Sequence, residues 1–224
     1  MTLAIAARCA KSGMFGVAIS SSSPAVAARC PYARAGVGAV STQNITDPTL
    51  GPRALDLMEM GASAEEAMAV VRRASNIDYR QVIIVDAAGR TAAFSGKGTL
   101  GTNGVVHGKD AVAAGNLLAS PKVPQSMIDA FAASEGAHLG ERLLRGLEAG
   151  IAAGGEAGPV HSAGLLLVDR VPWPVANLRV DWAEHDPAAE LRKVWQVYEP
   201  QMADYVRRAL DPASAPSFGV PGDR

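Results

Sequence analysis

The 224-residue sequence predicts an α+β fold in four layers, an αββα sandwich of two antiparallel sheets covered by helices. Three observations predict it. Short apolar runs come in pairs joined by glycine-containing turns, helical periodicity comes in pairs of helices between those runs, and the connections read as hairpins and not as βαβ crossovers.

Residues 3–7 and 14–20 are apolar runs separated by Lys11-Ser12-Gly13, which predicts an opening β-hairpin. After the Ser20-Ser21-Ser22-Ser23-Pro24 loop, residues 35–43 predict a third strand, whose glycines imply that something packs close to its backbone. One helix begins at Gly51-Pro52, where proline suits the first helical position. A second begins at the capping box Ser63-Ala64-Glu65-Glu66 and carries Ala64, Ala67, Met68 and Val71 on one face. Residues 80–86 and 90–95, joined by Ala87-Ala88-Gly89, predict a second hairpin; residues 111–116 predict a further strand, and residues 102–108 a loop. Helical spacing returns over residues 124–135 and 139–151, with Leu139, Leu143, Leu147 and Ile151 in step and Gly154-Gly155 as the stop. Strands over 162–168 and 177–182 precede a helix from Pro187 bearing Leu191, Val194, Trp195 and Tyr198. Residues 1–212 are expected to form a single domain and residues 213–224, rich in Pro, Ser and Gly, a flexible tail.

Composition removes several function classes. With 48% hydrophobic residues, 21 basic and 22 acidic side chains, the chain can bury a substantial core, and a net charge of -1 leaves no electrostatic footprint for nucleic acid or a membrane surface. The first eight residues lack a basic leader segment, and no stretch reaches the roughly 18 apolar residues of a membrane span, so a cytoplasmic protein is expected. Cys9 and Cys30 are not in metal-ligand spacing and are expected to be free thiols. The four histidines, His107, His138, His161 and His185, contain no i, i+4 pair and no cysteine neighbour, so no metal site and no cofactor are expected.

Local motifs remove more. Gly96-Lys97-Gly98-Thr99-Leu100-Gly101 satisfies GxGxxG, but loop-like sequence follows it where a dinucleotide site needs a helix N-terminus. There is no P-loop lysine, GxSxG elbow, HExxH or EF-hand loop. Asn44-Ile45-Thr46 is a sequon without a secretory context, and His161-Ser162, adjacent in a strand, point to opposite faces.

Thr2 carries the chemistry. Removal of Met1, which precedes a small residue, leaves a threonine with a hydroxyl and a free α-amine at the head of an apolar strand. A hydroxyl needs a base, and an α-amine of pKa about 7.7–8.0 supplies one near neutral pH, so one residue holds nucleophile and base. Asn116, at the end of a strand, places a side-chain amide where an oxyanion develops, as do backbone N–H groups near Thr42. Ser21 and Gln43 are expected to orient the amine or the substrate.

Taken together, these segments resemble the family known as domain of unknown function 1028, which is grouped with the N-terminal-nucleophile hydrolases. The resemblance runs from Thr2 to about residue 195 and is carried by Thr2 and its strand, Gly16-Val17-Ala18-Ile19 with Ser21, residues 35–43, Leu50-Gly51-Pro52, Arg80-Gln81-Val82, Asn116, Ser162-Ala163 and Leu178-Arg179-Val180-Asp181. It implies the same αββα sandwich, with Thr2 at the end of a central strand beside Ser20-Ser21-Ser22, and amide hydrolysis as the reaction class; Ser162 joins the expected substrate-orienting set. The chain departs from the pattern at three places: Phe94 stands where a histidine is usual, Glu156 is followed by Ala157 and Gly158 without the usual arginine, and His161 replaces a glutamine. The resulting expectation is an amidohydrolase with Thr2 as nucleophile, Asn116 as oxyanion donor and Ser21, Thr42, Gln43 and Ser162 around the substrate. The alternatives are a non-catalytic small-molecule-binding or assembly protein on the same scaffold, and self-cleavage before Thr99 or Thr102. Expected partners are a small-molecule or peptide amide and a second copy of the chain in a homodimer; nucleic acid and membrane are not expected.

Overall fold

The computed structural model describes residues 1–219. In chain order it contains β1 (Thr2–Arg8), β2 (Phe15–Ser21), β3 (Pro31–Arg34), β4 (Gly38–Asn44), α1 (Leu50–Glu59), α2 (Ala64–Val71), β5 (Arg80–Asp86), β6 (Thr91–Ser95), β7 (Gly104–Gly108), β8 (Ala111–Asn116), α3 (Val123–Ala133), α4 (Leu139–Ala152), β9 (Ser162–Val168), β10 (Ala176–Val180) and α5 (Pro187–Leu210). A six-stranded sheet has the order β10-β9-β2-β1-β8-β7 and a four-stranded sheet the order β3-β4-β5-β6, with every pairing antiparallel.

Three apolar layers hold the sandwich together. Leu3, Ile5 and Ala7 of β1 pack with Met127, Phe131, Leu143, Leu147, Leu191 and Trp195 of the helices on the outside of the larger sheet. Ala4 and Ala6, one residue out of phase, meet Ala39, Ile83 and Val85 between the sheets, and Val40, Val82 and Ile84 face α1 and α2 on the other side. Because successive strand residues point to opposite faces, the alternation assigns every strand residue to a layer, and the four-layer expectation stands. The chain continues the six-stranded sheet through β1 at its centre, so a residue at the head of β1 lies at the mouth of the inter-sheet space.

Two strands were not legible. β3 and β7 are short edge strands whose residues are mostly half-buried, so neither shows an alternating apolar face; residues 102–108, read as a loop, pair with β8 from Gly104 onward. The predicted strand at 35–43 splits: residues 35–37 form the β3–β4 turn, where Gly36 adopts φ +73°, and β4 begins at Gly38, whose added Cβ would lie 2.4 Å from the Val85 carbonyl oxygen. The capping box at Ser63 forms as predicted, with Glu66 N–H donating to Ser63 Oγ and Ser63 N–H to Glu66. Of the tail, Ala213 to Gly219 returns along α5, where Arg208 stands 3.7 Å over the Phe218 ring; residues 220–224 of that predicted tail lie outside the described residues. Cys9 and Cys30 are free thiols.

Candidate active site

The alternation that builds the layers also gathers polar residues at one end of the inter-sheet space. Thr2 shares its face of β1 with Ala4 and Ala6; Ser21 shares its face of β2 with Val17 and Ile19; Asn116 follows Val112 and Ala114 on β8. Ser162 heads β9 on the same side, and Ser41, Gln43 and Gln81 answer from the smaller sheet. Antiparallel pairing brings strand starts beside strand ends, with Thr2 directly opposite Asn116 and Ser21 opposite Ser162. All seven are buried.

Thr2 Oγ1 lies 3.3 Å from Ser21 Oγ, and both hydroxyls donate to the Met1 carbonyl oxygen at 2.5 Å. Ser21 is in turn held from behind. Arg29 Nη2 donates to Ser23 Oγ at 2.6 Å, and Ser23 Oγ is 2.8 Å from Ser21 Oγ. Ser21 gives its one hydroxyl proton to the Met1 carbonyl oxygen, so in the Ser23–Ser21 pair the Ser23 hydroxyl is the donor. Ser162 Oγ donates to the Ser23 carbonyl at 2.6 Å and accepts from Val26 N–H, which fixes the loop that carries Ser21 and Ser23.

An amide network spans the two sheets. Gln81 Nε2 donates to the Gly115 carbonyl at 3.1 Å and to Ser95 Oγ, which sets the orientation of that amide because a carbonyl only accepts. Gln81 Oε1 then accepts from Gln43 Nε2 at 2.8 Å and Asn116 Nδ2 at 3.1 Å. Asn116 Oδ1 is consequently left buried without a protein partner, an acceptor on the residue opposite Thr2. Thr42 is turned away: it shares the face of Val40 toward α1, its Oγ1 donates to the Asp47 carbonyl, and its N–H donates to the Cys30 carbonyl.

Glu156 was named in the sequence as a point of departure and not as a site residue. Gly154 and Gly155, at φ +116° and +58°, turn the chain after α4 so that Glu156 bridges to Leu118 and lies against the Ser21–Ser23 loop. Its Oε2 accepts from Ser22 N–H at 3.1 Å, while Oε1 is buried without a protein partner. Burial raises its carboxyl to about 7, against the lowering effects of the nearby N-terminal ammonium and of the hydrogen bonds from Ser22. Ser23, Arg29 and Glu156 are loop residues, and only the double glycine before Glu156 signalled a chain reversal there.

The departure at Phe94 does not reach this site, because Phe94 packs on the α1/α2 side of β6 beneath Arg72. His161 also faces elsewhere, stacked on Trp182 at 4.3 Å with Nδ1 2.8 Å from the Ala183 carbonyl oxygen. Thr99 N–H donates to the Gly96 carbonyl and the Thr102 carbonyl accepts from Leu118 N–H, both in the connection between β6 and β7. A pocket of about 290 Å³ lined by Cys9, Lys11, Asp110, Phe131 and Arg142 opens at the opposite end of β1 and shares no residue with the Thr2 cluster. Among the described residues no three His, Cys, Asp or Glu side chains are grouped to hold a metal ion, and no helix is long and apolar enough to cross a membrane.

Comparison with known proteins places the chain. The model of a family of unknown function, DUF1028, matches residues 2–191. Among solved structures, protein SPO2555 from Silicibacter pomeroyi, assigned to the same family, superposes with a TM-score of 0.84 at 27% identity, covering 92% of this chain and 94% of that one. Anbu (ancestral beta-subunit) from Yersinia bercovieri aligns with a TM-score of 0.40 at 12% identity, over 92% of this chain and 97% of that one. An Anbu mutant from Hyphomicrobium sp. strain MC1 aligns at 0.43 and 14%, over 98% and 100%. No curated protein matches.

Proposed function

This chain belongs to the DUF1028 family, and we propose that it is an N-terminal-nucleophile amidohydrolase whose nucleophile is Thr2 once Met1 is removed. One observation carries the reading: Thr2 Oγ1 is buried at the head of the central strand, 3.3 Å from a Ser21 hydroxyl that donates to an amide carbonyl oxygen in the same space. With Met1 gone, the nitrogen of Thr2 becomes an α-amine able to take the Oγ1 proton, directly or through a water. Asn116 Oδ1, opposite Thr2, accepts a hydrogen bond from that amine and orients it; the second Nδ2 hydrogen of Asn116 and the Ser21 hydroxyl are the donors for the developing oxyanion. Gln43 holds the Gln81–Asn116 network, and Ser162 holds the Ser21 loop. The only co-reactant is water, which hydrolyses the Thr2 acyl ester.

The first measurement is the intact mass of untagged protein. Loss of one methionine frees the amine; the Thr2→Ala variant is then expected to lower turnover in an amide screen by at least about 10³-fold with unchanged far-UV and thermal behaviour. Undiminished turnover in that variant overturns the mechanism. One observation favours a second reading, a non-catalytic binding protein: with Met1 in place, the nitrogen of Thr2 is a peptide nitrogen and the residue is only 5% exposed. Retention of Met1 in the protein from its own host selects that reading. Pairing of two copies is a separate proposal, checked by light scattering on the eluting peak.

A further inference from the structure

Met1 occupies the site as an aminoacyl group would. Its carbonyl oxygen accepts from Thr2 Oγ1 and Ser21 Oγ. Its side chain ends against the loop after α4, where Cε lies 3.2 Å from the position of a Cβ added to Gly158. Its ammonium acts on the Glu156 carboxyl through charge alone, with no ion pair or hydrogen bond between them, so Oε1 stays open to an amine that is not tethered to the Thr2 nitrogen. Glu156 is 5% exposed and its Oε1 has no partner, although the hydrogen bond from Ser22 holds the other oxygen in place. A buried carboxyl oxygen without a donor is costly, and what it fits is a donor, best a cationic one. A cationic amine supplies three N–H groups; a carboxylate or phosphate supplies none.

We infer that the substrates of this site are α-aminoacyl amides, whose free ammonium is held by Glu156 while the acyl carbonyl faces Thr2 Oγ1 and Ser21 and the side chain lies toward Gly158. The inference rests on the Thr2 reading for its chemistry and adds the substrate class. Thr2 Oγ1 attacks the acyl carbon as its proton moves to the Thr2 amine; the C–N bond breaks and that proton leaves with the departing amine. Water then attacks the ester, giving up one proton to the Thr2 amine, which returns it to Oγ1 as the amino acid leaves. Glu156 touches the substrate but exchanges no proton in these steps. Ala157 and Gly158 follow Glu156, and no side-chain cation of the protein acts on its carboxyl.

The experiment uses the full chain with Met1 removed, verified by mass, in the Thr2→Ala background, which binds without turnover. L-methioninamide is expected to bind at least about tenfold tighter than N-acetyl-L-methioninamide by calorimetry, and a further Glu156→Gln change to erase most of that preference. Equal or tighter binding of the acetylated probe, no binding of the free amine, or a preference that survives Glu156→Gln overturns the inference. Turnover by the Thr2 protein separates the two readings. Discrimination in binding without release of ammonia sinks the hydrolase and leaves amine recognition standing; hydrolysis of the acetylated amide alone does the reverse.

Discussion

At Glu156, burial raises the carboxyl to about 7, well above the roughly 4.3 of an exposed glutamate in the unfolded chain. Between those values the folded protein holds a proton that the unfolded chain has lost, so the stability contributed by this group is fully present below about pH 4 and is lost as pH rises through 7. In the chain that retains Met1, Glu156→Gln is therefore expected to be near neutral at pH 4 and stabilising by on the order of 3 kcal/mol at pH 8.5, read by urea unfolding at both values. An effect independent of pH would mean that the carboxyl titrates normally. Asp86 shows the opposite balance: burial opposes its ionisation, but hydrogen bonds from Ala64, Arg90 and Ala88 hold it below the usual range. The candidate site was legible in the sequence only in part. Thr2, Ser21, Gln43, Asn116 and Ser162 sit on strands, where a period of two fixes the face, whereas Glu156 and Arg29 reach the site from loops whose approach no local pattern encodes. Thr42 was misplaced by the same rule, one residue out of phase with Gln43, on the face that α1 covers.

Elements meet through glycines that strand and helix patterns do not explain. Gly140 in the first turn of α4 stands where an added Cβ would lie 2.5 Å from the Trp195 ring, so α5 docks only because that position has no side chain. Gly51 in α1 has the same relation to Tyr32, at 2.1 Å. Gly140→Ala is expected to destabilise by about 1–3 kcal/mol, since the large indole packed against it must shift, even though alanine favours a helix more than glycine does. A midpoint in urea equal to or above that of the parent would show that Trp195 moves aside without cost. The sequence showed the helical faces, including Leu191 and Trp195 on α5, but not this docking; Val194, expected on that face, is 40% exposed. Periodicity reports which side of a helix is apolar and says nothing of how closely its neighbour approaches.

On the scale of the whole molecule, the site depends on how far apart the sheets stand. The layer between them sets small residues, Ala4 and Ala6 from β1, Ala39 from β4 and Ala114 from β8, among larger ones such as Phe15, Ile19 and Ile83, and the sheets approach closely enough for Gln43 and Gln81 to hydrogen-bond the carbonyls of Ala114 and Gly115 across the gap. The same spacing brings Asn116 to Gln81 and holds it opposite Thr2. Ala6→Leu adds volume midway along β1, remote from the hydroxyl cluster and touching no residue of it, in a layer without room for it. Overpacking of this kind costs about 1–3 kcal/mol and is relieved by moving the sheets apart or by off-rotamer side chains. The expected result is a lowered urea midpoint with unchanged slope, together with faster amide hydrogen exchange at the side chains of Gln43 and Gln81, because their bridge stretches when the sheets separate. A matched change on the outer face, Ile5→Val, is expected to cost about 1 kcal/mol and to leave that exchange unaltered, since it loosens the contact with α4 and not the gap. If both variants lower stability but neither changes exchange at the glutamines, the amide bridge is independent of sheet spacing, and the alanines between the sheets serve packing alone.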